Sequence, residues 1–155
     1  MIKIMFICHG NICRSPMAEF IFKDMLQKRK LTDRFYVSSC ATSTEEIWNG
    51  IGNPVYLPAR EELKKHGISC GEKRAVKLQK SDYEKYDYLI CMDSRNIRNA
   101  LSILESDTKG KVSKLLDHTQ KGGDVADPWY TGNFNITYHD ISKGCEALLD
   151  ELIKQ

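Results

Sequence analysis

Short apolar runs alternate with helical patterns along this chain. The runs at residues 3–8, 35–42 and 88–92 combine apolar side chains with β-branched and aromatic residues, as is typical of buried strands. A weaker run at 111–115 predicts a fourth strand. Because strands that alternate with helices form parallel sheets, we predict an α/β fold with helices on both faces of the sheet.

Apolar residues at helical spacing follow each of the four runs. They predict helices over residues 16–30, 59–66, 95–104 and 141–153. Ser15 is expected to cap the first helix, with Pro16 at its first position. The segment 117–135 is rich in glycine and is predicted to be a loop.

The length and composition are those of an ordinary globular domain. The chain has 155 residues, 41% apolar and 28% charged, which excludes a disordered or fibrous protein and predicts one domain over residues 1–155. Its formal net charge of +2 gives no general attraction to nucleic acid or to an anionic membrane. We therefore expect neither as a partner, and any anion must be recognised locally.

The N-terminus and the cysteines bear on the cellular compartment. No apolar run approaches the roughly 20 residues of a membrane span. Residues 1–11 lack a basic region and a small-residue cleavage site, so they are interpreted as a first strand and not as a signal peptide. The six cysteines are then expected to be reduced thiols, and a cytoplasmic location follows.

The turn after the first strand carries the chemistry of an anion site. Gly10 and Asn11 adopt left-handed backbone angles more readily than other residues, which lets successive N–H groups point inward. The following helix adds its positive end, and Arg14 offers a planar fork for two phosphoryl oxygens. The same groups, with a hydrogen bond from Ser15, favour Cys8 as a thiolate, a nucleophile able to attack phosphorus.

The cysteines also admit other interpretations. Cys8 could be an inert strand cysteine, since cysteine is often buried. A zinc site built on Cys8, His9 and Cys13 would lack a second pair of ligands, so we predict no metal and no cofactor. The other cysteines in apolar strands and helices are expected to lie in the core; these are Cys40, Cys91 and Cys145.

The segment CHGNICRSP at residues 8–16 resembles the signature of the low-molecular-weight protein tyrosine phosphatases. Further family landmarks follow in order as SCATS at 39–43, IGNP at 51–54, LICMD at 89–93 and DPWY at 127–130. The resemblance implies a single doubly wound, flavodoxin-like domain with a four-stranded parallel sheet. It also implies a phosphoric monoester hydrolase with a cysteinyl-phosphate intermediate, acting on phosphotyrosine in proteins or on small aryl phosphates and releasing inorganic phosphate.

The resemblance assigns roles residue by residue. Cys8 is the nucleophile, Arg14 binds the phosphate and the transition state, and Asp127 is the general acid and then the base. The remaining residues of the phosphate loop are His9, Gly10, Asn11, Ile12, Cys13 and Ser15. Ile12, Trp129 and Tyr130 flank the substrate; Ser39 and Asp93 support the loop; Cys13 is a redox partner of Cys8.

One position departs from the family pattern, and one short stretch looks like an insertion into it. The family commonly pairs a histidine with the position of Asp93, whereas this chain has Lys73 or Glu72 at the matching place. An insertion-like stretch, Trp48-Asn49-Gly50, precedes IGNP and is expected to border the cleft.

Three alternatives to a tyrosine phosphatase remain. Protein-arginine phosphatases of this fold carry threonine after the loop asparagine, where Ile12 here favours an aryl phosphate. Arsenate reductases need two further cysteines on a mobile segment, which Cys70 and Cys91 do not resemble. A non-catalytic phosphate-binding module would need neither Cys8 nor Asp127. The oligomeric state is left open, with a monomer favoured.

Overall fold

The computed structural model describes residues 1–154. Its strands are β1 (Ile2–Cys8), β2 (Phe35–Ala41), β3 (Ile47–Trp48), β4 (Ile51–Gly52), β5 (Tyr88–Cys91) and β6 (Val112–Lys114). Its α-helices are α1 (Arg14–Lys28), α2 (Leu57–Lys65), α3 (Asp82–Lys85), α4 (Ser94–Leu104), α5 (Pro128–Thr131) and α6 (Phe134–Ile153). Two single-turn 3₁₀ helices, Thr32–Arg34 and Leu115–His118, complete the regular structure.

The central sheet has four parallel strands in the order β2-β1-β5-β6, which confirms the predicted fold class. Strand β1 lies between β2 and β5, and its side chains alternate between two apolar clusters. Ile4 and Phe6 pack on the face covered by α1 and α6. Met5 and Ile7 pack on the opposite face, against residues of α3 and α4. Both faces are therefore covered, as a doubly wound sheet requires.

The first helix begins earlier than predicted. It starts at Arg14 with Cys13 as its N-cap, and no side chain caps its first turn. The hydroxyl oxygen of the predicted cap, Ser15, instead lies 3.0 Å from Cys8 Sγ and accepts a hydrogen bond from the Asn11 side-chain amide at 2.8 Å. The serine is thus used by the loop and not by the helix terminus.

The prediction of a loop over 117–135 is only partly right. Helix α5 interrupts it, and α6 begins at Phe134, seven residues before the predicted start at Ile141. The side chain of Asn133 accepts a hydrogen bond from the Ile136 N–H at 3.0 Å and caps α6. The sequence pattern places the buried residues of α6 correctly; these are Ile141, Cys145, Leu148, Leu149 and Leu152.

The carboxyl ends of the central strands meet at one edge of the sheet. The backbone N–H groups of Thr42 and Ser43, just after β2, donate to the carbonyls of Cys8 and His9 at 2.9 and 3.0 Å. These bonds fasten the turn after β1 to the turn after β2. In the part of the chain that the structure describes, no helix has the length and apolar character to cross a membrane.

Candidate active site

Cys8 ends β1 and is nearly enclosed, with 4% of its surface exposed. Its Sγ accepts a hydrogen bond from the Asn11 N–H at 3.3 Å. Ser15 Oγ lies 3.0 Å from the same sulfur. The Asn11 side-chain amide donates to Ser15 Oγ at 2.8 Å, so the serine hydrogen is available for the sulfur. The Asn11 N–H and the Ser15 hydroxyl thus both lie within hydrogen-bond distance of the sulfur.

Asn11 fixes the conformation of the phosphate loop (residues 8–15). Its backbone has φ 58°, in the left-handed region, and its side chain is buried. Besides Ser15, its Nδ2 donates to Ser39 Oγ at 3.0 Å, and its Oδ1 accepts from the Val76 N–H at 3.1 Å. Three side-chain hydrogen bonds, two of them buried, thus hold a backbone conformation that costs free energy for a non-glycine residue.

A buried carboxylate and a lysine support this network from behind. Ser39 Oγ donates to Glu19 Oε1 at 2.6 Å, and Lys73 Nζ donates to the Ser39 carbonyl at 2.8 Å. Lys73 Nζ also lies 3.8 Å from Glu19 Oε1. Burial lowers the pKa of Lys73, against the opposing effect of Glu19. Lys73, and not Glu72, therefore takes the supporting position, and the expected pairing with Asp93 is wrong: Lys73 contacts Ser39 and Glu19, whereas Asp93 is held by Arg14 and Asn96.

Sequence reasoning missed Glu19. The available signal was a charged residue within an otherwise buried stretch of α1, between Ala18 and Ile21. A buried carboxylate normally has partners, and here they are Ser39, Lys73 and Lys23. The partner in β2 could not be read from the sequence because it is twenty residues away along the chain.

Arg14 connects the phosphate loop to the turn after β5 and to the segment before α5. Its buried Nη1 donates to Asp93 Oδ2 at 2.8 Å and to the Val125 carbonyl at 3.1 Å, while Nη2 lies 3.5 Å from Asp127 Oδ2. Burial disfavours its charge, but Cys8 and Asp93 outweigh that effect and raise its pKa. The guanidinium therefore stays charged beside the sulfur.

Asp93 holds Arg14 and also caps α4. Its Oδ1 accepts from the Asn96 N–H at 2.8 Å, and its Oδ2 accepts from Arg14. Burial alone would raise the pKa of Asp93, yet these hydrogen bonds lower it below its ordinary value. The carboxylate is the stable form at neutral pH, which keeps the guanidinium oriented.

Asp127 sits at the start of α5, across the cavity from the loop. Its Oδ1 accepts from the Trp129 N–H at 3.0 Å, and its side chain is 31% exposed. The side chains of Trp129 and Tyr130 are 62% and 79% exposed. The centroids of the Trp129 and Tyr56 rings are 5.2 Å apart, so Tyr56 packs against Trp129 and supports it.

A cavity of about 820 Å³ brings these residues together. Its lining includes most of the predicted site residues, namely Cys8, His9, Gly10, Ile12, Cys13, Arg14, Asp93, Asp127, Trp129 and Tyr130. Asn11, Ser15 and Ser39 do not line the cavity; the hydrogen bonds among their side chains support the loop from its buried side. Two lining pairs were not foreseen: Glu45 and Glu46 after β2, and Arg95 and Arg98 on α4.

The expectation that the insertion-like stretch borders the cleft is wrong. Trp48, Asn49 and Gly50 form the end of the β3–β4 hairpin and do not line the cavity. Asn49 and Gly50 both have positive φ, so these two residues serve the tight turn. The two glutamates that precede the hairpin reach the cavity instead.

The six cysteines are unpaired in the structure. Burial, together with the charges of Cys8 and Asp127, raises the pKa of Cys13 to about 12, so this residue is a neutral thiol. Cys40, Cys91 and Cys145 are fully buried, which confirms the prediction that they belong to the core. Within residues 1–154, no three His, Cys, Asp or Glu side chains are grouped to hold a metal ion.

The Asp93–Arg14 pair predicts a pH-dependent effect on stability. Because the pKa of Asp93 is lowered on folding, its contribution is complete above about pH 5 and is lost as the pH falls through the folded-state value. Asp93→Asn should lower the free energy of unfolding by about 1–3 kcal/mol at pH 7, measured by urea denaturation.

The control for this variant is Asp150→Asn, which breaks an exposed pair with Arg29 and should change stability by less than about 1 kcal/mol. The difference between Asp93→Asn and the unaltered protein should shrink as the pH falls below 4. A difference of the same size at pH 3 would contradict the assignment.

Comparisons with known proteins place this chain and its fold in a family. A family model described as low molecular weight phosphotyrosine protein phosphatase matches residues 3–155. The low molecular weight protein-tyrosine-phosphatase YfkJ of Bacillus subtilis is 38% identical over 157 residues, covering 100% of this chain and 98% of that protein. Its crystal structure matches with a TM-score of 0.93 at 37% identity, covering 99% of this chain and 96% of that one.

Two further proteins show how far the similarity in sequence and in fold extends. The mouse low molecular weight phosphotyrosine protein phosphatase is 34% identical over 154 residues, covering 96% of this chain and 94% of that protein. The arginine phosphatase YwlE of Bacillus subtilis matches with a TM-score of 0.84 at 24% identity, covering 99% of this chain and 97% of that one, and so shares the fold. The chain belongs to the low molecular weight phosphotyrosine protein phosphatase family.

Proposed function

We propose that this chain is a protein-tyrosine phosphatase that hydrolyses aryl phosphate monoesters through a cysteinyl-phosphate intermediate. The observation that carries the proposal is the meeting of Cys8, Arg14 and Asp127 in one cavity. A nucleophile, a cation for the phosphoryl oxygens and a proton donor are the three groups that this reaction requires. The substrate is a phosphoprotein and the product is inorganic phosphate.

In the first step, the substrate phosphoryl group occupies the phosphate loop, where backbone N–H groups and the Arg14 guanidinium bind its oxygens. The Cys8 thiolate attacks phosphorus, so that an S–P bond forms while the P–O bond to the aryl group breaks. Asp127, as the protonated acid, gives its proton to the departing phenolate oxygen.

In the second step, water attacks the phosphorus of the cysteinyl phosphate. The Asp127 carboxylate takes a proton from this water, the S–P bond breaks, and the electron pair returns to Cys8 as thiolate. The same carboxyl group thus serves first as acid and then as base, and the enzyme regains its initial state when phosphate leaves.

Aromatic and apolar side chains support a phosphotyrosine substrate. Trp129 and Tyr130 stand exposed beside the cavity, and Ile12 lines it as well. Aromatic rings stack on such surfaces with a free-energy gain of about 0.5–1.5 kcal/mol per pair. A phosphoarginine side chain would place a polar guanidino group against the same surface, so this arrangement favours the aryl phosphate.

We infer, first, that residues 1–155 form one phosphatase domain. We further infer that it acts as a monomer, that it works in the cytoplasm, and that it needs neither a metal nor a cofactor. The single four-stranded sheet supports the first inference. Six unpaired, buried cysteines suit a reducing compartment.

We also infer that Cys13 protects Cys8 during oxidation. A peroxide would oxidise the Cys8 thiolate to a sulfenic acid, and the neutral Cys13 thiol would then condense with it. The S–S bond forms as water leaves, and a cellular thiol restores both residues by exchange. Both cysteines line the same cavity, which supports this pairing.

The substrate class is tested with two peptides of one sequence, bearing either phosphotyrosine or phosphoarginine. We expect the phosphotyrosine peptide to have the higher kcat/KM, measured by phosphate release. Cys8→Ser should reduce that rate by on the order of 10³-fold or more, since the nucleophile is lost. Cys70→Ala, outside the cavity, is the matched cysteine control. Faster release from phosphoarginine, or activity that survives Cys8→Ser, would overturn the proposal.

The role of Asp127 is tested by the leaving group. Asp127→Asn should slow hydrolysis of phenyl phosphate by about 10²–10⁴-fold, because phenolate needs the proton. The loss should be much smaller for p-nitrophenyl phosphate, whose leaving group is stable as an anion, in single-turnover measurements of the first step. Equal losses for the two substrates would remove Asp127 from the role of acid.

A further inference from the structure

Opposite charges face each other across the mouth of the cavity. Glu45 and Glu46 contribute to its lining from the turn after β2. Arg95 and Arg98 contribute from the first two turns of α4, which follows β5. We call these pairs the acidic wall and the basic wall.

The order of the strands puts the two walls on opposite sides of the nucleophile. In the sheet, β1 lies between β2 and β5, and all three strands run in the same direction. Cys8 ends β1, so the turn after β2 and the helix after β5 flank it from either side. A peptide that crosses Cys8 in the direction of the strand order would therefore meet the acidic wall on one flank of its phosphotyrosine and the basic wall on the other.

The acidic wall lies close to the phosphate loop. Glu45 Oε2 is 3.0 Å from His9 Nε2, and the Glu45 side chain is 69% exposed. A Cβ placed on Gly10 would lie only 3.3 Å from Glu46 Cγ, so this side chain covers the loop at the glycine. Asn53 N–H donates to the Glu46 carbonyl at 2.8 Å and holds the turn in place.

The basic wall has free guanidinium groups. Arg95 and Arg98 are three residues apart on α4 and are exposed, so they can share one face of the helix. Among residues 1–154, no carboxylate lies within ion-pair distance of either side chain. The nearby acid Asp124 is paired with Lys114 at 2.9 Å.

We propose that this enzyme selects its substrates by the order of charged residues on the two sides of the phosphotyrosine. The preferred substrate carries basic residues on one flank, which meet Glu45 and Glu46, and acidic residues on the other flank, which meet Arg95 and Arg98. The proposal rests on the proposed phosphatase function and names its substrate class: phosphotyrosine segments with a polarised charge sequence.

Two phosphotyrosine peptides of identical composition test the proposal. One has two lysines before the phosphotyrosine and two glutamates after it, and the other has the reverse order. Because exposed ion pairs contribute modestly, we expect kcat/KM to differ by about 3- to 20-fold at low ionic strength. The difference should fall toward onefold in 0.5 M salt, which screens exposed charges.

Charge reversal of both walls provides the sharper test. The variant with Glu45→Lys, Glu46→Lys, Arg95→Glu and Arg98→Glu keeps the net charge unchanged and should invert the preference between the peptides. The control, Glu146→Lys with Arg34→Glu, reverses two exposed charges that do not line the cavity and should keep the original preference.

Each variant's peptide rates are divided by its rate on p-nitrophenyl phosphate, which has no flanking residues. If the unaltered protein hydrolyses p-nitrophenyl phosphate but shows the same kcat/KM for both peptides, the charge proposal is overturned. The proposed phosphatase function would still stand in that case. A preference that persists unchanged in the four-residue variant would also overturn the charge proposal. Failure of the unaltered protein to hydrolyse any of the three would instead refute the proposed function.

Discussion

The left-handed backbone of Asn11 is the constraint on which the rest of the site depends. A φ of 58° is unfavourable for a residue with a side chain, and here the side chain itself secures it through bonds to Ser15, Ser39 and Val76. This conformation directs the Asn11 N–H at Cys8 Sγ. The loop is therefore arranged for an anion before any substrate arrives, which spares the cost of ordering it during the reaction.

Charge compensation lets so many ionic groups share a small volume. Arg14 is surrounded by Cys8, Asp93 and Asp127, and Asp93 is in turn held by a backbone N–H of α4. Glu19 and Lys73 form a second ion pair behind the loop. Each buried charge thus has a partner of opposite sign or a hydrogen-bond donor, as burial requires. The charges at the mouth differ, because they face solvent and lack this full compensation.

Local patterns in the sequence predict a large part of this arrangement. The apolar run of β1, the turn CHGNICRSP and the helix after it are contiguous, so their physical chemistry can be worked out residue by residue. The contacts of Glu19 and Lys73 could not be derived in this way, because their shared partner, Ser39, lies on β2, 20 and 34 residues away along the chain. The same limit applies to Ser15, whose use by the loop and not as a helix cap depends on the position of Cys8.

Replacement of Asn11 by glycine tests the central claim most directly, since glycine accepts the left-handed backbone but removes the three side-chain bonds. With p-nitrophenyl phosphate as substrate, the inhibition constant for inorganic phosphate should rise about tenfold or more, given roughly 1 kcal/mol for each lost hydrogen bond. Asn49→Gly, at a turn with φ 52° outside the cavity, is the control and should leave it unchanged. An unaltered inhibition constant in Asn11→Gly would show that the side chain does not organise the loop.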